Sequence, residues 1–280
     1  MNNLSLKKSS KYFALFMLVI ASSCNVDSSQ KLEKHNWQLA WSDDFDGISG
    51  TLPDATKWTY DIGTGDNGWG NKELEYYTNR PENISMDGNG NLIITAIKES
   101  FQGSSYTSAR IKTKGLLEQK YGRFEARIKT PYGQGLWPAF WMLGDNSDTA
   151  TWPLCGEIDI MELRGQKPNI VQSALHGPGY YGANPITGTN VLQNSRYDTT
   201  FHLFAVEWDE NKIDFFVDDY LFRRIEKSEV KSKGQWVYNH PFYLLLNVAV
   251  GGNFLGDPNT QSSFPQKMTI DFVKVYNQVN

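Results

Sequence analysis

The run Tyr121-Gly122-Arg123-Phe124-Glu125-Ala126-Arg127-Ile128-Lys129-Thr130 decides the fold class. Phe124, Ala126 and Ile128 alternate with Arg123, Glu125, Arg127 and Lys129. An alternation of this kind puts the apolar set on one face of an extended chain and the charged set on the other, which is the pattern of a half-buried strand. Ile213, Phe215 and Val217 share a face in the same way, and the run ends at Asp218-Asp219, a turn-forming pair. Other β-rich runs are Leu92 to Lys98, Glu157 to Leu163, Phe201 to Trp208, Tyr243 to Val250 and Met268 to Tyr276. Gly, Asn, Asp and Pro punctuate them at short intervals. No segment holds an apolar period of about 3.6 residues over helical length. Many short strands at this spacing predict an all-β sandwich or barrel. No fixed-period repeat and no internal linker interrupt 37–280, so a single domain is expected there.

The composition excludes several functions. The chain has 280 residues, 40% of them hydrophobic, which is enough for a large core and argues against disorder. Its net charge is −4, and without residues 1–23 the balance is 24 basic against 31 acidic residues, a net −7. Such a surface has no electrostatic footprint for nucleic acid. Cys24 and Cys155 are the only cysteines, which excludes a disulfide framework and a Cys-rich zinc site.

The N-terminus reads as an address. Lys7, Lys8 and Lys11 precede the apolar run Tyr12 to Ile20, then Ala21-Ser22-Ser23-Cys24. The run is too short to span a bilayer and has the layout of a secretory signal over 1–23. A cysteine after small residues resembles a bacterial lipobox, with Ala21 where leucine is more usual. Cys24 is then the lipidated first residue, and the plain alternative is a signal cut near Ala21. Residues 24–36 read as a polar tether. The expected location is the cell envelope, by a lipid anchor facing the outer membrane or the periplasm, or else secretion. Intracellular cofactors such as NAD or ATP are not expected.

Aromatics crowd beside Gly and Pro: Gly68-Trp69-Gly70, Gly135-Leu136-Trp137-Pro138, Thr151-Trp152-Pro153, Pro178-Gly179-Tyr180-Tyr181 and Gly252-Asn253-Phe254. These read as loops lining a groove that stacks on flat sugar faces. The chemistry concentrates in Gly156-Glu157-Ile158-Asp159-Ile160-Met161-Glu162. Pleating sends Glu157 and Asp159 to one face and Ile158 and Ile160 to the other. A regular strand would turn Glu162 away, and a β-bulge near Ile160-Met161 brings it back. The two glutamates then lie roughly 13 Å apart at the backbone. Leaning inward, their carboxyl groups reach about 5 Å, the separation of a retaining glycosidase. Asp159 between them is expected to hydrogen-bond Glu157 and tune it, with like-charge proximity keeping one glutamate protonated. A solvated strand face and a calcium site on the three carboxylates are the bland alternatives.

The signature with its lead-in, Gly135 to Leu143 and Trp152-Pro153, resembles family 16 of the glycoside hydrolases, and within it the bacterial laminarinases, endo-acting β-1,3-glucanases. Trp41 to Asp46, Asn71 to Thr78, Phe201-His202, Glu207-Trp208, Asn247 to Gly252 and Asp271 to Tyr276 add to the resemblance, which runs through most of 37–280. It implies a jelly-roll sandwich of two curved antiparallel sheets with a concave substrate cleft. It implies hydrolysis with retention through a covalent glycosyl-enzyme. On this resemblance Glu157 is the nucleophile, Glu162 the acid/base and Asp159 the assisting carboxylate, and the spacing through Met161 is that of the bulged subgroup.

Other residues are carried over by the same resemblance. Trp137, Trp141 and Trp152 match cleft aromatics, with Trp137 and Trp141 near a strand entrance, and Arg80 and His176 match sugar contacts. His176, in a Gly-Pro turn, also reads as an ordinary loop hydrogen-bond donor. His202 reads as structural and Cys155 as packing. Asp44, the backbone of Gly90 and Asp271 match a structural calcium site on the convex face, against the alternative of plain surface aspartates. No cofactor is expected for catalysis. The expected partner is a β-glucan, acted on by a monomer. Related branches cleave mixed-linkage glucan, agar, carrageenan or porphyran, and transglycosylation uses the same intermediate. A binding protein on this fold is the non-enzymatic alternative, and an adhesive surface lipoprotein another; neither accounts for the three carboxylates.

Overall fold

Residues 35–279 are described by the computed structural model. In chain order the strands begin with β1 (Asn36–Asp43), β2 (Thr59–Asp61), β3 (Glu75–Tyr77), β4 (Ile84–Met86), β5 (Leu92–Phe101) and β6 (Ser104–Ser108). There follow β7 (Arg110–Lys112), β8 (Gly122–Lys129), β9 (Leu136–Gly144), β10 (Glu157–Leu163), β11 (Ile170–His176) and β12 (Ile186–Val191). The last are β13 (His202–Trp208), β14 (Lys212–Val217), β15 (Tyr220–Glu226), β16 (Phe242–Val250) and β17 (Gln266–Val279), with a short α-helix, α1 (Lys227–Lys233), between β15 and β16.

Two sheets form. One has seven strands in the order β12-β11-β10-β9-β16-β7-β2. The other has ten, along β15-β14-β13-β8-β17-β5-β6-β3, with β1 on β17 and β4 on β5. The all-β jelly-roll expectation holds, with one departure: β3 runs parallel to β6. The alternation of β8 works as read. Phe124, Ala126 and Ile128 are buried in the core with Phe204, Val206, Ile213, Phe215, Val273 and Val275. From the other sheet come Phe140, Met142, Ile158, Ile160, Leu244, Leu246 and Val248. Each of these Val, Leu, Ile, Phe and Met side chains contributes about 1.5–3 kcal/mol on burial. The described residues belong to one compact unit.

Three expectations need correction. Gly135 to Pro138 is not a loop throughout: Leu136 opens β9, a central strand with Pro138 inside it. The ladder to β10 reaches only Ala139, so Pro138 pairs with β16 alone, where a missing N–H costs least. The polar tether ends earlier than Asn36, which opens β1 and pairs with Val279. The runs forming the other ten strands, β1–β4, β6, β7, β9, β11, β12 and β15, were not read as strands from sequence. The signal over 1–23 and Cys24 lie outside the described residues.

Candidate active site

β10 carries the three carboxylates and supplies the bulge that brings them together. Ile158, Ile160 and Leu163 enter the core. Against β9, Asp159 faces Trp141 and Glu162 faces Ala139, with the register shifting between Asp159 and Met161. Against β11, Asp159 faces Ala174 and Glu162 faces Gln172, so two β10 residues oppose Ser173 alone. Ser173 Oγ donates to the Ile160 carbonyl at 2.7 Å, tying the residue opposite the bulge to the bulged backbone. Gly156 feeds the strand from φ +74, with Phe242 and Val237 3.0 Å from where a Cβ would stand. A larger residue there would disturb the entry to Glu157.

Indole N–H groups hold both glutamates. Trp152 Nε1 donates to Glu157 Oε2 at 2.9 Å, and Trp137 Nε1 donates to Glu162 Oε1 at 2.9 Å. The expected hydrogen bond from Asp159 to Glu157 is not found among the described contacts. Asp159 instead faces His176, whose Nε2 lies 3.2 Å from Asp159 Oδ2 and 3.8 Å from Glu157 Oε1. Even so, Asp159 Oδ2 is buried with no hydrogen-bond partner, because the ring N–H is not aimed at it. His176 is therefore no ordinary loop donor. It ends β11, directly opposite Glu157.

The electrostatics follow from burial. Desolvation is the largest influence on Glu162 and, with Glu157 nearby, pushes its pKa up to about 7 against the lowering effects of His176 and the Trp137 hydrogen bond. The expected like-charge effect is present but secondary. Burial, then the charges of Glu157 and Glu162, also raise Asp159 well above the usual carboxylate range. Burial alone would lower His176, but Asp159, Glu157 and Glu162 outweigh it and raise the imidazole to about 9. Cys155 is buried and its thiol is pushed up to about 11, mainly by desolvation, which suits packing and not reactivity.

Aromatics extend the site on both sides. Trp152 meets Tyr181 edge-on at 5.4 Å and is 41% exposed, available for a sugar face. Phe254 lies 4.8 Å from Trp137 and carries the Arg164 guanidinium at 3.6 Å. Trp141 Nε1 donates to Asn247 Oδ1 at 2.8 Å, Asn247 Nδ2 donates to the Tyr77 hydroxyl at 3.1 Å, and that hydroxyl donates to Glu73 at 3.1 Å. Arg110 sits between Trp69 and Trp141, 4.7 and 4.8 Å from their rings, and pairs with Asp61 at 2.9 Å. Ser173, Asn247 and Arg110 were missed from sequence. Asn247 had a readable signal, an amide inside the apolar run of β16.

The remaining expected residues stand apart from the carboxylates. Arg80 is tied to Glu99, Asn83 and Thr107 and lies over Phe101. His202 is structural, with Nδ1 2.7 Å from Asp218. Gly90 lies beside Asp44 and Asp46. The Asp44 carboxylate pairs with Lys274 at 3.1 Å, and Asp271 pairs with Arg127.

The family model for glycosyl hydrolases family 16 matches residues 70–274. The chain belongs to family 16 of the glycosyl hydrolases. Similar family 16 proteins include a beta-glucanase of Rhodothermus marinus, 41% identical over 94% of each chain. The solved laminarinase catalytic domain of Thermotoga maritima superposes with a TM-score of 0.82 at 44% identity, covering 88% of this chain and all of that one. The laminarinase of Rhodothermus marinus gives 0.81 at 40% identity, over 89% of this chain and all of that one. As a member of this family, the protein is a glycoside hydrolase.

Proposed function

We propose that this hydrolase is a retaining endo-β-1,3-glucanase acting on laminarin-like chains. The observation that carries the reading is the bulge in β10, which puts Glu157 and Glu162 on one face with different environments. Glu162, with its pKa raised to about 7, holds a proton near neutrality and gives it to the leaving glycosidic oxygen. Glu157, with one oxygen held by Trp152, attacks the anomeric carbon and forms a glycosyl ester. Glu162, now ionised, takes a proton from water. That water attacks the same carbon, breaks the ester and restores both residues. Asp159 and His176 stand beside the nucleophile, with His176 Nε2 3.8 Å from Glu157 Oε1.

The β-1,3-glucan assignment is supported by the laminarinase relatives and by the arginines around the site. Arg110 is committed to Asp61, and Arg164 to the Phe254 carbonyl and ring. A sulfated galactan would call for uncommitted basic groups. Reducing-sugar release should be measured side by side on laminarin, mixed-linkage glucan, agarose and carrageenan. Laminarin should be cleaved fastest, with Glu157→Gln and Glu162→Gln folded and inactive. Cleavage of a galactan alone would overturn the substrate, and wild-type rates in either variant would overturn the mechanism.

Export with lipid on Cys24 is a further proposal, supported by the Lys7 to Cys24 pattern. Cys24→Ala should move the protein from the membrane pellet to the soluble fraction. Calcium at Asp44, Gly90 and Asp271 is proposed as structural only. It would have to displace Lys274 and Arg127 from the two carboxylates, and no catalytic step passes through it.

A further inference from the structure

We propose that Glu157, Asp159 and His176 form a binding site for zinc, and that occupancy blocks hydrolysis by taking the nucleophile out of use. One ligand atom from each residue lies within 4.8 Å of the other two. The residues come from neighbouring strands, with Glu157 and His176 directly opposed and Asp159 two places along β10. Zinc held by imidazole nitrogen and carboxylate oxygen has bonds of about 2.0–2.1 Å, so tetrahedral ligands stand roughly 3.3 Å from each other. His176 Nε2 stands 3.2 Å from Asp159 Oδ2 and 3.8 Å from Glu157 Oε1, and the two carboxylates, within 4.8 Å of each other, draw together to reach one ion.

A second observation separates this cluster from an ordinary ion pair. Asp159 is 3% exposed, and its Oδ2 has no hydrogen-bond partner although Nε2 is within reach. A plain pair would align the N–H with the oxygen. The donor set of one imidazole and two carboxylates selects a borderline ion over magnesium or calcium, which prefer oxygen alone. Three protein ligands leave a fourth position for water. Binding exchanges the proton of His176 for the metal, with no redox change.

The site itself stands on geometry alone. Its inhibitory effect rests on Glu157 being the nucleophile proposed above. Titration of the full-length protein with zinc chloride by calorimetry tests binding, with magnesium chloride as the hard-ion control. Cobalt chloride gives an independent visible-range signature of low-coordinate nitrogen and oxygen ligation. One zinc per chain is expected, with affinity at least tenfold weaker in His176→Asn and in Asp159→Asn, and circular dichroism confirming that both fold. Glu162→Gln keeps all three ligands and should bind zinc as the wild type does, even though turnover is lost. In the wild type, zinc should inhibit hydrolysis in competition with glucan. Binding unchanged in both ligand variants, or absent at millimolar zinc, would overturn the site. Tight binding through these residues without inhibition would leave the site standing and count against Glu157 as nucleophile.

Discussion

Trp137 and burial act on Glu162 in opposite directions. Burial raises its pKa, while the indole N–H favours the carboxylate and lowers it. As the proposed acid, Glu162 works only when protonated, so kcat/KM should fall as pH rises through about 7. Trp137→Phe removes the lowering hydrogen bond, so this alkaline limb should move to higher pH by up to about one unit. A pH–rate profile of the variant checks this, and an unmoved limb would count against Glu162 as the acid. At this scale the carboxylates were legible in sequence because all three lie within six positions. His176 was not legible as their neighbour. Its place depends on β11 pairing with β10 in a register that no local pattern displays.

At the scale of elements, the bulge is the feature that makes the site. Its stability depends on Ser173, whose hydroxyl satisfies the buried Ile160 carbonyl. Ser173→Ala should cost about 1–2 kcal/mol in denaturant unfolding. It should also lower kcat more than it raises KM, because Glu162 loses its aim while the aromatic groove is untouched. Unchanged stability would mean that the bulge is held by β9 alone. The bulge was legible because three carboxylates with that spacing make chemical sense only if one residue is extra. Strand β9 was misread because Gly135 and Pro138 are loop residues by local propensity. Burial of Leu136, Phe140 and Met142 overrides that preference. The parallel pairing of β3 with β6 is a long-range choice made by the packed sheets, and neither run announces it.

Across the whole molecule, the two sheets divide the work. The seven-stranded sheet carries the carboxylates and Trp137, with Trp152 in the turn before β10, and the ten-stranded sheet backs it through the shared core. The outer face of the latter is knit by Arg123, which reaches Glu125, Glu207 and Asp219, each at 2.8 Å. Arg123→Met strands two largely buried glutamates, and should cost roughly 3–5 kcal/mol in stability while leaving kcat unchanged at temperatures where the variant is folded. A fall in kcat without loss of stability would show that this face couples to the site. The sandwich as a class was legible from the alternation in β8 and β14. The partner of each sheet face was not, since which strands adjoin is fixed by the closing of the core. The retaining mechanism proposed above requires Glu157 to carry the sugar. Trapping the enzyme with a 2-deoxy-2-fluoro glucoside bearing a good leaving group, followed by mass spectrometry of the peptide containing residues 156–163, measures it directly. The account predicts one glycosyl adduct on Glu157, and an adduct on Glu162 instead, or turnover with no adduct on either glutamate, would contradict it.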